Sequence, residues 1–169
     1  VQGTASPMDT LVSALGGTIT IPGGKRLKNL SCGIVVGNSL LPSRTKEQVR
    51  KVASLRRRYP AVISSVMKAI GDIARKSEEY IRVGDCESIG ALMNVNQVLL
   101  DALGVGNEKL TALINAARKN AFGAKITGAG GGGCIFALTE HADKVAEEIR
   151  KTGGSPIRTK ISELGLRYE

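Results

Sequence analysis

Lys125-Ile126-Thr127-Gly128-Ala129-Gly130-Gly131-Gly132-Gly133-Cys134-Ile135-Phe136 sets five glycines in six positions between two short apolar segments. The flanks, residues 124–127 and 134–138, read as strands, so the tract is the connection of a β-hairpin. Lacking Cβ atoms, most of its backbone can turn N–H groups toward one point, and a ligand or neighbouring loop can approach the main chain closely. A mobile turn explains the glycines equally well on spacing alone, because G-x-G matches are weak in isolation. The surroundings of the hairpin decide between the two.

Outward from the hairpin, residues 141–151 predict a helix and 157–161 a closing strand. On the other side lie four predicted helices. The nearest covers 107–121, with Asn107 as N-cap and Gly123 as its stop; the next covers 86–103 and ends at Gly104. Pro60 begins another, whose Val62, Ile63, Val66, Ile70 and Ile73 recur at helical spacing to about Ile81, and residues 43–47 open one that runs toward Arg58. Cys32 to Val36 is an apolar strand candidate. Residues 18–21 alternate as a strand, Pro22-Gly23-Gly24 turns, and 25–28 is a polar stretch. At the beginning, Ser6 as N-cap and Pro7 at the first helical position start a short helix that Gly16-Gly17 stops. Strand, helices, strand, glycine hairpin, strand, helix, strand predicts an α+β fold: a ferredoxin-like split βαβ antiparallel sheet, with extra helices in the first crossover and the helices covering one face.

Composition narrows the function classes. The 169 residues suffice for one core plus a short remnant of another domain. No apolar stretch approaches the ~20 residues of a membrane span, so no membrane partner is expected. Lysine and arginine outnumber the acids 24 to 15, a formal charge of +9 that would suit a nucleic-acid binder. The cations, however, are scattered along helical segments, and three Tyr, two Phe and no Trp leave few stacking platforms. Solvated helix faces are therefore the reading, with no nucleic-acid partner. Cys32, Cys86 and Cys134 stand singly, without C-x-x-C spacing and with only His141 to help build a metal site. They are read as small buried hydrophobes in a reducing cytoplasm, and no metal ligands are assigned.

Lys125, Thr127 and the tract Gly128 to Gly133 resemble the third motif of the GHMP kinases, a superfamily of small-molecule kinases. Val1-Gln2-Gly3-Thr4-Ala5-Ser6-Pro7-Met8-Asp9-Thr10, followed by Val12-Ser13 and Gly16-Gly17, is similar to the segment of the mevalonate kinase branch that carries the catalytic aspartate. Asn96-Gln97 and the run Leu-Leu-Asp-Ala-Leu-Gly-Val-Gly from Leu99 to Gly106 resemble a helix and turn of that branch. The three parts come in the family's order and span nearly the whole chain, most like the archaeal members. Two earlier family motifs, one with a catalytic lysine and one with a P-x-x-x-G-L-G-S-S-A phosphate loop, are not in the sequence. The resemblance thus implies the C-terminal half of such a kinase, with residues 1–28 ending an N-terminal domain and 29–169 forming the C-terminal domain. It implies ATP and Mg²⁺ as cofactors, mevalonate as acceptor, the N-terminal half as a partner, and a cytoplasmic location, with a homodimer left open.

What the resemblance implies for single residues follows the chemistry of phosphoryl transfer, which needs positioned charge more than covalent chemistry. Asp9 would face the acceptor hydroxyl as base or as electrostatic partner of the absent lysine; the alternative is a carboxylate favoured in a helix's first turn. Ser6 would line the substrate pocket, a role compatible with capping. Thr45 aligns with a threonine near the substrate, or it simply caps its helix. Gly128, Gly130, Gly131, Gly132 and Gly133 would put backbone donors beside the phosphates, and a side chain larger than that of Ala129 would obstruct the substrate. Lys125 is given no catalytic part, since the family's catalytic lysine belongs to a missing motif. Another GHMP kinase acting on phosphomevalonate or homoserine is the near alternative, and a non-catalytic basic binding module the distant one.

Overall fold

Ile34, Val35 and Val36 are apolar in succession, as are Ile135, Phe136, Ala137 and Leu138, a pattern of strands buried on both faces rather than one. The computed structural model, which describes residues 8–167, places them at the centre of a four-stranded antiparallel sheet. In chain order the elements are α1 (Met8–Leu15), β1 (Thr18–Ile19), β2 (Arg26–Leu27), β3 (Gly33–Asn38), α2 (Thr45–Arg58), α3 (Pro60–Val83), α4 (Cys86–Ala102), α5 (Glu108–Arg118), β4 (Gly123–Ile126), β5 (Cys134–Thr139), α6 (Ala142–Lys151) and β6 (Ser155–Thr159). The sheet runs β4-β5-β3-β6, the order expected of a split βαβ unit. Asn38 lies opposite both Cys134 and Ser155, so the glycine loop and the exit of β3 share one end of the sheet.

The expected one-sided cover is corrected: both faces are packed. On the first, Val35, Ala124, Ile126, Ile135 and Ala137 meet Leu110, Leu113, Ile114 and Ala117 of α5 and Val145, Ala146 and Ile149 of α6. On the second, Ile34 and Leu138 meet Ile89 and Met93 of α4, with Tyr80 and Ile81 of α3, Val36 and Phe136 packed around them. Each fully buried Leu, Ile or Val on either face contributes about 1.5–3 kcal/mol over an exposed one. A third cluster, Ile63, Leu103 and Val105 with Val52 and Leu55, joins α2, α3 and the turn after α4.

Other expectations shift by a few residues. Helix α5 ends at Arg118, three residues early, because Phe122 already donates its amide to Leu138 of the sheet. Strand β6 starts at Ser155 and includes Pro156, which an edge strand tolerates. The polar stretch at 25–28 contains β2, which pairs with β1 in a hairpin separate from the main sheet. Helix α1 is fastened to the segment after β6: the amide of Leu166 donates to Ser13 O at 3.0 Å, and that of Gly17 to Ser162 O at 2.6 Å. Ser6 and Pro7 lie outside the described residues.

The reading of all three cysteines as thiols is also corrected. Cys32 and Cys86 form a disulfide, their Cα atoms 6.4 Å apart, whereas Cys134 is free. The approach to β3 and the first residue of α4 meet over the second apolar cluster, a juxtaposition that a separation of 54 residues does not reveal. The cysteines therefore lend no support to a reducing compartment. Among the described residues no helix is long and apolar enough to cross a membrane.

Candidate functional site

The glycine loop is held from behind by main-chain bonds. Gly131 donates its amide to Val105 O and Gly133 to Leu41 O, each at 2.8 Å, while Gly133 O accepts from the amide of Ser39 at 2.8 Å. The Ser43 hydroxyl donates to Gly130 O at 2.9 Å. Gly128, Gly130, Gly131, Gly132 and Gly133 all have positive φ. A Cβ on Gly130 would overlap the Val105 carbonyl, on Gly131 the amide of Gln48, and on Gly132 the Pro42 carbonyl. Backbone overlap as well as backbone angle requires glycine at 130 and 132, while at Gly131 the positive φ alone does, since the Gln48 side chain can move aside.

Those bonds use two of the loop's amides. Among the described residues, the N–H groups of Gly128, Ala129, Gly130 and Gly132 donate to no protein acceptor. Gly130 and Gly132 are buried. Buried backbone donors are nearly always satisfied, so a ligand oxygen or solvent must complete those two, and successive amides of a glycine turn can form an anion-binding concavity.

Strand β4 is the edge of the sheet, and helix α4 covers it with side-chain amides instead of a further strand. Asn94 accepts from the Ala124 amide at 3.1 Å and donates to Phe122 O at 3.2 Å. Gln97, buried at 3% exposure, accepts from the Ile126 amide at 2.8 Å and donates to Asp101 Oδ1 at 2.8 Å. Arg118 of α5 donates to Ala124 O at 3.0 Å. Gly90 lets the two elements touch, since a Cβ there would overlap the backbone of Phe122. The end of β4 from which the loop departs is thereby fixed to α4, and the turn after α4 supplies Val105 to the loop.

Of the residues singled out from the sequence, the structure brings Thr45 to the neighbourhood of the loop. It is the first residue of α2, one turn before Gln48, which touches Gly131. Its reading as a cap is corrected: Arg44 holds the N-cap position without a side-chain cap bond, and Ser43 bonds the loop instead. Asp9 is exposed at the second residue of α1. That helix is tied to residues 162–166 and to Arg26, whose guanidinium donates to Leu15 O; the loop is tied to residues 39–48 and to Val105. Ala129 sits half-buried between Gly128 and Gly130.

Sequence reasoning passed over Asn94, took Ser43 only as part of a helix start, and gave Gln97 and Val105 no part beyond their place in a resembling helix and turn. A signal for two of them was present: amides at i and i+3 on a helix whose Ile89 and Met93 are buried would be aimed at another backbone. Lys125 stands opposite Phe136 in the hairpin, and its ammonium donates to Ile126 O at 2.7 Å. Burial holds that ammonium below the usual lysine range. Among the described residues no three histidine, cysteine or acidic side chains converge as a metal-binding group.

Residues 77–155 match the family described as GHMP kinases C terminal. A mevalonate kinase from Thermococcus gammatolerans is 44% identical over all of this chain and 53% of its own length. One from Pyrococcus furiosus is 43% identical over the same shares. The solved structure of L. major mevalonate kinase in complex with R-mevalonate superposes with a TM-score of 0.78 at 26% identity, covering 89% of this chain and 48% of that one. The chain thus spans about half the length of the curated relatives it matches.

Proposed function

From the premise that this chain carries the C-terminal domain of a GHMP kinase, we propose that it is the C-terminal half of an ATP-dependent mevalonate kinase, transferring the γ-phosphoryl group to the primary alcohol of mevalonate. The observation that carries the reading is the glycine loop, four of whose amides find no acceptor among the described residues, in a chain 44% identical over its whole length to a mevalonate kinase. The fold alone would not suffice, since one fold hosts many chemistries.

In this reading the amides of Gly128, Ala129, Gly130 and Gly132 hold phosphate oxygens, which suits a transfer whose charge spreads over those oxygens. Thr45, at the start of α2, lies beside the acceptor, and Ala129 keeps the wall narrow. Asp9 orients or deprotonates the attacking hydroxyl from the opposite side, Ser6 lines the pocket near it, and residues 1–28 belong to the N-terminal domain. The catalytic lysine and the gripping phosphate loop come from the half of such a kinase outside this sequence. Mg²⁺ belongs to the same reading, but the described residues offer it no cluster of ligands, so no step is derived through it.

The test is a coupled ADP-release assay on the complete polypeptide that contains this sequence, with ATP and a panel of mevalonate, phosphomevalonate, homoserine and galactose. Turnover of mevalonate above the other acceptors is expected. Preference for another alcohol would sink the substrate assignment, and no nucleotide turnover with any acceptor would sink the kinase reading.

A further inference from the structure

The loop's amides are neutral donors, and an anionic reactant bound on them would still lack a full counter-charge. We propose that Lys125 supplies that charge: its ammonium, bonded to Ile126 O two residues before the glycine loop, holds the oxyanion of a bound reactant, either a nucleotide phosphate or the acceptor's carboxylate. The inference rests on the kinase reading above and adds a binding residue to it.

Three observations carry it. Lys125 is the third residue before Gly128 in the strand that feeds the loop. Its ammonium has three donors, and the structure provides one protein acceptor, Ile126 O at 2.7 Å. Among the described residues no carboxylate pairs with it, whereas Lys68, Lys76, Lys119 and Lys151 have acidic partners at the surface. A half-buried ammonium without a counter-charge is costly, and an oxyanion on the neighbouring amides would offset that cost. Burial lowers its proton affinity and no carboxylate restores it, whereas a bound anion would favour the charged form.

A purely structural role fits less well. The bond runs to the carbonyl of the next residue, so it ties no distant segments together. The aliphatic stem could pack against Phe136 equally well in methionine.

The experiment compares the complete polypeptide with Lys125→Met and Lys125→Arg, measuring KM for ATP, KM for mevalonate, ADP affinity by calorimetry, and Tm. Loss of one charge-assisted contact should raise one of the constants roughly 10- to 100-fold in the Met variant, with partial recovery in the Arg variant and Tm unchanged. A rise confined to ATP and ADP identifies the phosphate as the anion; a rise confined to mevalonate identifies the carboxylate. Unaltered constants, with or without a fall in Tm, overturn the proposal. Should the wild-type polypeptide fail to phosphorylate mevalonate, the substrate reading falls separately, and equal ADP affinity together with an equal KM for the acceptor it does use, in wild type and Lys125→Met, then overturns this one.

Discussion

Replacing Gln97 by Met keeps the side-chain length and removes both ends of its amide. The Ile126 N–H, bonded to Gln97 Oε1 at 2.8 Å inside the structure, is left without an acceptor, and Asp101 loses the donor at 2.8 Å. A buried unsatisfied amide costs about 1–3 kcal/mol, and loss of a bond to a carboxylate about 1.5 kcal/mol more at its lower bound. Asp101 is near the surface and regains part of that from water, so the sum is about 2–4 kcal/mol. For a chain of this size that lowers Tm by roughly 4–16 °C. Thermal unfolding followed by circular dichroism measures the total, and amide hydrogen exchange at Ile126 localises it. An exposed neighbour on the same helix, Val98→Ala, is the control, with a change within about 0.5 kcal/mol expected. If Gln97→Met melts with wild type and leaves exchange at Ile126 unaltered, α4 does not seal the edge of the sheet, and the account of what holds the glycine loop fails.

Three further perturbations read other parts of the molecule. Cys32→Ser opens a loop closed over 54 residues, for which chain entropy predicts a loss of about 4 kcal/mol; reductant should lower the Tm of wild type and leave that of the variant unmoved, with Cys134 alone alkylated before reduction. Gly130→Ala must accommodate a positive φ and an overlap with the Val105 carbonyl, a combined destabilisation of about 2–4 kcal/mol in urea titration, and an unchanged midpoint would refute the close approach. Asp9→Asn in the complete polypeptide should lower kcat roughly 10²–10⁴-fold with KM for ATP little altered; wild-type turnover would remove Asp9 from the mechanism.

The hairpin was legible because glycine is the residue that positive φ selects, and its flanks alternate or run apolar at strand length. The helices were legible because their apolar residues recur at helical spacing, and Asn107 caps α5 through its bond to the Leu110 amide as expected. Two-sided burial could have been read from Ile34-Val35-Val36, but the expectation came from the fold type instead of from the strand's own pattern. The disulfide and the contact of Ser43 with Gly130 were not legible. Each joins residues far apart in sequence, and a serine or cysteine carries no local sign of its distant partner. Asp9 rests on motif resemblance alone, because a carboxylate in a helix's first turn has an ordinary electrostatic reason to be there.

The way the loop is braced bears on how the site works. Its carbonyls at Gly130 and Gly133 and its amides at Gly131 and Gly133 are all committed to this chain's own residues, from the exit of β3, the entry to α2 and the turn after α4. Those three segments belong to elements already packed together: Val105 sits in a cluster with α2 and α3 side chains, and Gln97 fixes β4 to α4. The geometry of the loop is therefore set by this chain's own described segments. A binding surface whose donors are preset does not have to reorganise as charge develops on a phosphate, which is where fixed dipoles gain over water. If the proposed kinase reading holds, the remainder of the enzyme supplies the opposite wall and the reacting groups but not the shape of the cradle, and Gln97→Met, whose lost bond ends at Ile126, should raise the KM for ATP of the complete polypeptide; an unaltered KM would detach the brace from the site.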